Sequence, residues 1–392
     1  MNIGHADIER IVKAVVQSMD RSGGAAPLPS STTAPPAPAI ARPTPMGVFA
    51  SLDDAVAEAD KAYRQMRSVA MRNLAVAAIR RAGEEHAQEL AEMAVAETKM
   101  GRVVDKFVKN VAQARFTPGV ESLVPTVLSG DRGLTLIENA AWGVIASVTP
   151  STNPAATIIN NAISMIAAGN TVVFAPHPAA KGVSQRAVTL INEAVVAAGG
   201  PRNVITTVTN PNIATAQQLF SYPGINLLTV TGGEAVVEEA RKHTDKRLIA
   251  AGAGNPPVVV DETAHIEKAA RDIVWGASFD NNIICADEKE VIVVASVADH
   301  LKEEMKKHDA VELTADQAKR LLDVVLGKIS LDGRGTVSRD WVGRDAAKIA
   351  ASIGLQVPES TRLLFVETGA DHPFAVTELM MPILPVIRVA NV

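Results

Sequence analysis

The sequence predicts an α/β protein whose sheet is mainly parallel and covered by helices on both faces. Three observations carry this. Apolar, strand-length runs alternate with helical runs between Gly143 and Lys242, the succession that builds βαβ units. No Asp, Glu, Lys or Arg lies between Glu138 and Lys181 or between Arg202 and Glu234, as expected of buried strands and helices. The 392 residues are 47% hydrophobic with mean hydropathy +0.13, enough for two or three domains at ~100–200 residues each.

Residues 3–19 place Ile8, Ile11, Val12, Val15, Val16 and Met19 three and four apart with charges between, an amphipathic helix. Residues 21–46 hold seven prolines among Gly, Ala, Ser and Thr and read as a spacer without a core. So short a helix is marginal alone. Its stripe either folds back on the main body or serves as a tethered docking peptide, and the long spacer favours docking. From Ser51 to Ala96 the Ala-rich, mixed-charge pattern predicts two helices. Residues 122–140 predict a hairpin around Ser129-Gly130-Asp131-Arg132-Gly133. Then follow strand Gly143–Val148, helix Pro154–Ala168 and strand Thr171–Phe174, with Pro154 suited to the first helical turn and Gly169 to the stop. Helix Ser184–Ala198 closes on Gly199-Gly200 and leads to strand Val204–Val208. Helix Ile213–Ser221, strand Asn226–Val230 and helix Glu234–Lys242 complete the series. Further on, Ile266–Phe279 reads as a helix and Ile383–Val389 as a strand.

Composition excludes several function classes. Lys plus Arg is 38 and Asp plus Glu 43, a net charge of -5, so no basic surface meets nucleic-acid phosphates. Aromatics at 3% argue against base-stacking platforms as the basis of function. The single cysteine, Cys285, rules out an internal disulfide and a Cys-based metal cluster. The eight histidines are scattered with no HExxH, so no metal is expected. The uncharged runs are broken by Pro150, Asn153, Pro154, Asn160, Pro176 and Pro178, and by Asn210, Pro211 and Pro223, which argues against membrane spans. Asp7, Glu9, Arg10 and Lys13 interrupt any secretory core at the N-terminus, so a cytoplasmic protein is expected.

Three short motifs could carry chemistry. Val230-Thr231-Gly232-Gly233-Glu234 joins an apolar strand to a helix; it is either a tight turn or a site where backbone approaches an anion at a helix N-terminus. Cys285 follows the polar stretch Phe279-Asp280-Asn281-Asn282 and is either a small buried apolar residue or a reactive thiol. Asn153 in Pro150-Ser151-Thr152-Asn153-Pro154 opens a helix, as a cap or as an oxyanion donor.

Taken in order, these motifs resemble the aldehyde dehydrogenase superfamily: Asn before a helix, Gly169-Asn170-Thr171-Val172-Val173, Thr231-Gly232-Gly233, a Gly-rich strand end, then the Cys285 loop. Glu378-Leu379-Met380-Met381-Pro382 is similar to that superfamily's Glu-x-Phe-Gly-Pro element, and the match runs from about Met46 to the end. The resemblance implies a Rossmann-type cofactor domain over residues 47–250, with the hairpin serving oligomerisation, and an α/β catalytic domain over 251–392. Two departures matter. Where hydrolytic members place the Glu that activates water, this chain has Ala251 (or Ala250, aligned on Pro256) in Ala251-Gly252-Ala253-Gly254-Asn255-Pro256. The usual Lys-Pro after the Thr-Val-Val strand is replaced by Ala175-Pro176-His177-Pro178. Both resemble the CoA-acylating branch, and within it Pro150–Pro154, Phe174–Lys181, Gly252–Pro257 and the Cys285 loop resemble the acetaldehyde-oxidising group of ethanolamine-utilisation microcompartments. In that group the helix of residues 1–20 would be an encapsulation peptide that meets a shell protein.

The resemblance implies a mechanism and a set of site residues. Cys285 would attack the aldehyde, Asn153 and the Cys285 N–H would stabilise the oxyanion, and hydride would pass to NAD. Thr152, Pro176, His177, Thr231, Gly232, Gly233, Gly252 and Glu378 would hold the cofactor, Glu378 at the nicotinamide ribose. With Ala251 unable to activate water, coenzyme A would take the acyl group, giving acetyl-CoA. No base for Cys285 is evident. The other readings are a hydrolytic enzyme releasing free acid, a propanal-specific relative from propanediol compartments, and an inactive cargo or assembly protein. The last arises because the chain ends at Val392, soon after Ile383–Val389, whereas the resembled family continues with the rest of the catalytic domain. The expectation is a catalytic domain incomplete at its C-terminus, poorly soluble, weakly active or inactive alone, and unable to form the usual oligomer.

Overall fold

The computed structural model describes residues 45–391; the helix and most of the spacer expected over residues 1–46 lie outside them. The first sheet opens with the short strand β1 (Val48–Phe49) and, after three helices and a fourth, reaches the hairpin β2 (Thr126–Gly130) and β3 (Gly133–Ile137). The hairpin pairs antiparallel with Gly130 opposite Gly133, as its turn residues predict. The main strands follow: β4 (Val144–Thr149), β5 (Thr171–Pro176), β6 (Ile205–Val208), β7 (Leu227–Thr231) and β8 (Arg247–Ala251). Their order is β1-β6-β5-β4-β7-β8, all parallel. The chain leaves β4 toward β5 and β6, then returns to the other side of β4 for β7. That reversal opens a crevice at the carboxyl ends of β4 and β7.

The helix Pro154–Ala167 after β4 explains the uncharged stretch. Ile158, Ile159, Ile163 and Ile166 are all fully buried between the sheet and its neighbours. Pro154 occupies its first turn, and Gly169 takes φ 84 just beyond its end, a conformation that costs glycine nothing.

A second parallel sheet comprises β9 (Pro257–Val260), β10 (Glu290–Val294), β11 (Ala310–Glu312), β14 (Leu363–Thr368) and β15 (Ile383–Val389) in the order β11-β14-β15-β10-β9. A small ribbon, β12 (Leu326–Ile329) with β13 (Gly335–Val337), stands apart from it. The predicted strand Ile383–Val389 lies in the middle of the sheet, flanked by β14 and β10. Helix Ile266–Ser278 packs Ala270, Ile273, Val274 and Ala277 into the core beneath it. No helix among the described residues is long and apolar enough to cross a membrane.

The front of this body differs from expectation. Ser51–Ala96 forms three helices rather than two, Leu52–Tyr63, Val69–Glu85 and Ala87–Thr98, because the backbone breaks at His86 (φ -103, ψ 12). A further helix, Val103–Phe116, buries Asp105, Lys106, Lys109 and Asn110. Its inward face is charged, so apolar periodicity does not reveal it.

Candidate active site

The Cys285 segment is built on three successive left-handed residues, Asp280 (φ 45), Asn281 (φ 57) and Asn282 (φ 62), all buried. Asp and Asn tolerate this region better than other side chains bearing a Cβ, which accounts for the polar run after the helix. Asn281 donates to the Gly343 carbonyl (2.8 Å) and to Asp345 Oδ1 (3.0 Å). Asn282 donates to the carbonyls of Ala277 (2.8 Å) and Glu288 (3.0 Å). Lys289 Nζ donates back to the Asn282 carbonyl (2.6 Å) and Oδ1 (2.8 Å). On this base sits a turn in which Asp287 N–H donates to the Ile284 carbonyl (3.1 Å) and Ile284 N–H to Asp287 Oδ2 (3.2 Å). Cys285 stands on that turn, exposed. It is therefore not a buried packing residue. A Cβ on Gly254 would come within 2.7 Å of the Cys285 carbonyl oxygen, so only glycine fits there without a shift. The backbone of Gly254 in turn favours the ionised form of half-buried Glu378, against the effect of burial.

Asn153 precedes Pro154 but does not cap the helix (φ -134, ψ 55, no side-chain cap bond). Its Oδ1 instead accepts from Lys109 Nζ, and its Nδ2 donates to Thr152 Oγ1 (3.2 Å). Lys106, one turn earlier on the same helix face, donates to the Thr152 carbonyl (2.9 Å). Both lysines also donate to Asp280 Oδ2, Lys106 at 3.0 Å. Asp280 Oδ1 accepts the Arg102 N–H (2.8 Å), and the Asp280 N–H donates to Asp105 Oδ2 (2.9 Å). Helix Val103–Phe116 thus ties the Asn153 turn to the start of the Cys285 segment.

The other predicted residues line the carboxyl ends of the first sheet. Thr231 ends β7, and Gly233 precedes helix Glu234–His243. Neither Gly232 nor Gly233 has a positive φ, and a Cβ on Gly233 would meet nothing within 4 Å. Internal crowding therefore does not explain these glycines; they leave open backbone beside a helix N-terminus. Pro176 ends β5, and His177 Nδ1 accepts from Ala179 N–H (3.1 Å). Thr149 Oγ1, at the end of β4, is buried without a hydrogen-bond partner among the described residues. Open glycine backbone, a helix N-terminus and an unpaired hydroxyl at the sheet's crossover point fit a dinucleotide. Gly252 follows β8 in open space, and Ala251 ends that strand, exposed.

Sequence profiles decide the family. The profile described as "Aldehyde dehydrogenase family" matches residues 39–327. The chain belongs to the aldehyde dehydrogenase family. It is 70% identical over 386 residues to the acetylating acetaldehyde dehydrogenase EutE of Escherichia coli (strain K12), covering 98% of this chain and 80% of that protein. The propionaldehyde dehydrogenase from the fucose-utilisation microcompartment of Clostridium phytofermentans has a similar structure, with TM-score 0.83 and 44% identity over 88% of this chain and 79% of that one. The Rhodopseudomonas palustris propionaldehyde dehydrogenase with bound propionyl-CoA gives TM-score 0.83 and 43% identity over 88% and 76%.

The charges at this aldehyde dehydrogenase site are unusually buried. Burial pushes Asp287 up to about 7, with Lys289 pulling the other way. Burial raises Glu378 too, again opposed by Lys289, whose own ammonium is held down by burial against the attraction of Asp287, Glu378 and Cys285. Sequence reasoning missed Lys106, Lys109, Asp287 and Lys289. Burial and the neighbouring Lys109 charge lower Lys106 from 10.5 to about 8. A base whose folded pKa is depressed binds fewer protons folded than unfolded between those values, so stability rises with pH there. Wild type should gain about 2 kcal/mol over Lys106→Met between pH 7.5 and pH 9.5, measured by urea unfolding. A pH-independent difference would show that Lys106 titrates normally.

Proposed function

We propose that this chain is a CoA-acylating acetaldehyde dehydrogenase, converting acetaldehyde, NAD and CoA to acetyl-CoA and NADH through a thioester on Cys285. The observation that carries the reading is the exposed thiol of Cys285, raised on a turn braced by Asp287 and Lys289 and closed on one side by Gly254. Acetaldehyde is preferred to propanal because identity to the E. coli acetaldehyde enzyme is 70%, against 44% and 43% for the propionaldehyde enzymes.

In this mechanism the Cys285 thiolate attacks the carbonyl carbon, and the second Asn153 N–H together with the Cys285 N–H takes the negative charge that develops on oxygen. NAD, when bound, supplies the hydride acceptor. Thr231, Gly232, Gly233 and the helix N-terminus beside them would hold its phosphates, with Thr152, Pro176, His177 and Gly252 around it and Glu378 on the nicotinamide ribose. Collapse of the oxyanion expels hydride and leaves Cys285 acylated. Ala251 offers only a methyl where water would be activated, so the CoA thiolate attacks the thioester and Cys285 leaves as thiolate.

The hairpin supports self-association. Leu128, Leu134, Leu136 and Ile137 are all more than half exposed on a two-stranded ribbon that is not stable by itself. Residues 1–20, outside the described part, would address the enzyme to a microcompartment shell protein.

The test is NADH formation from acetaldehyde with CoA present or omitted, repeated with propanal and with NADP. Acetyl-CoA as product, at a higher kcat/KM than propanoyl-CoA, is expected. Acetate formed without CoA would establish the hydrolytic reading instead, and no turnover with either aldehyde would favour the cargo reading.

A further inference from the structure

We infer that Lys109 is a positioning residue that fixes which way the Asn153 amide faces and locks it to the Cys285 segment through Asp280. The inference rests on the proposed acylating reaction and adds a residue to it. A lysine ammonium has three donors and no acceptor, so Lys109 Nζ requires the oxygen of the Asn153 amide to face it. A flipped amide would set NH₂ against NH₃⁺ at a half-buried site. With Oδ1 so held and one N–H on Thr152 Oγ1, one amide N–H is left to face an incoming oxygen.

The second anchor is Asp280, which is fully buried. Its carboxylate already meets Lys106 and the Arg102 N–H. That carboxylate thus has partners besides Lys109, and what Lys109 adds that they do not is the bond to Asn153. Because Asp280 also opens the left-handed run leading to Cys285, a single ammonium joins the oxyanion donor, 44 residues further along the chain, to the nucleophile's support, 171 residues further along.

The test is a double-mutant cycle on the full chain, with the wild-type assay in the same series. Lys109→Met should lower kcat about 10²-fold, the scale of a misplaced catalytic group. Alkylation of Cys285 by iodoacetamide, which needs no oxyanion donor, should keep its rate. In an Asn153→Ala background, Lys109→Met should cause no further loss. Full additivity of the two losses would overturn the inference, as would a parallel fall in alkylation. Should Lys109→Met fold poorly, Lys109→Gln keeps a hydrogen-bonding group for Asp280 at the buried site, while its amide, which carries an acceptor as well as donors, does not fix the orientation of Asn153. That variant should fold and still show the lowered kcat, and recovery of kcat in it would also overturn the inference. Absence of turnover in the wild type would remove the reaction itself and the inference with it, an outcome distinct from additivity in an active enzyme.

Discussion

Cys285→Ala is expected to abolish acetyl-CoA formation, by roughly 10⁴-fold or more, the scale of losing a covalent nucleophile. The fold should hardly notice. The side chain is exposed, and the turn beneath it is held by Asp287, Asn282 and Lys289, none of which uses the sulfur. Substitutions of that kind usually stay within ~0.5 kcal/mol. Dinucleotide affinity, which the proposed function assigns to the Thr231-Gly232-Gly233 turn on the other sheet, should also be preserved. The measurement is NADH and acetyl-CoA production beside urea unfolding and cofactor titration. Appreciable turnover by a folded variant would end the covalent mechanism, because no other cysteine exists in the chain to replace Cys285.

The first sheet was legible because its punctuation is local. Pro154 and Gly169 bracket a helix, Gly199-Gly200 closes another, and Thr231-Gly232-Gly233 marks a strand end, each within a few residues of the element it defines. The exposed Cys285 could be suspected from its Asn-rich flank, since three left-handed residues in succession favour Asp and Asn. The charged cluster could not be foreseen. Lys106 meets Asp280 across 174 residues, and nothing in either neighbourhood announces the other. Lysines at positions 106 and 109 of a helix read as a solvated face, the usual place for such residues, until the fold turns that face inward. The same inversion hid the helix itself. Asn153 shows the opposite case: its residue type and position suit a cap, yet the ammonium of Lys109 takes its side-chain oxygen away from the helix backbone.

That cluster makes Asp280→Ala the variant with the largest expected cost in stability. The substitution strands two buried ammoniums, Lys106 and Lys109, and leaves the Arg102 N–H without its acceptor. Removing one partner of a buried ion pair typically costs ~3–5 kcal/mol, because the remaining charge keeps its desolvation penalty and loses its compensation. Alanine also accepts the left-handed φ of 45 less readily than aspartate, adding ~1 kcal/mol. Asp280→Asn keeps an oxygen for Arg102 and the tolerance for this conformation but loses the charge, so its loss should fall between wild type and Asp280→Ala. Urea unfolding at pH 7 separates the three chains. Lys106, already at about 8, can shed part of the penalty by deprotonating. The deficit of Asp280→Ala should therefore shrink as pH rises from 7 to 9. A deficit below ~1 kcal/mol at pH 7 would mean that water reaches Lys106 and Lys109 and that the bridge between the two halves of the site is solvated rather than buried.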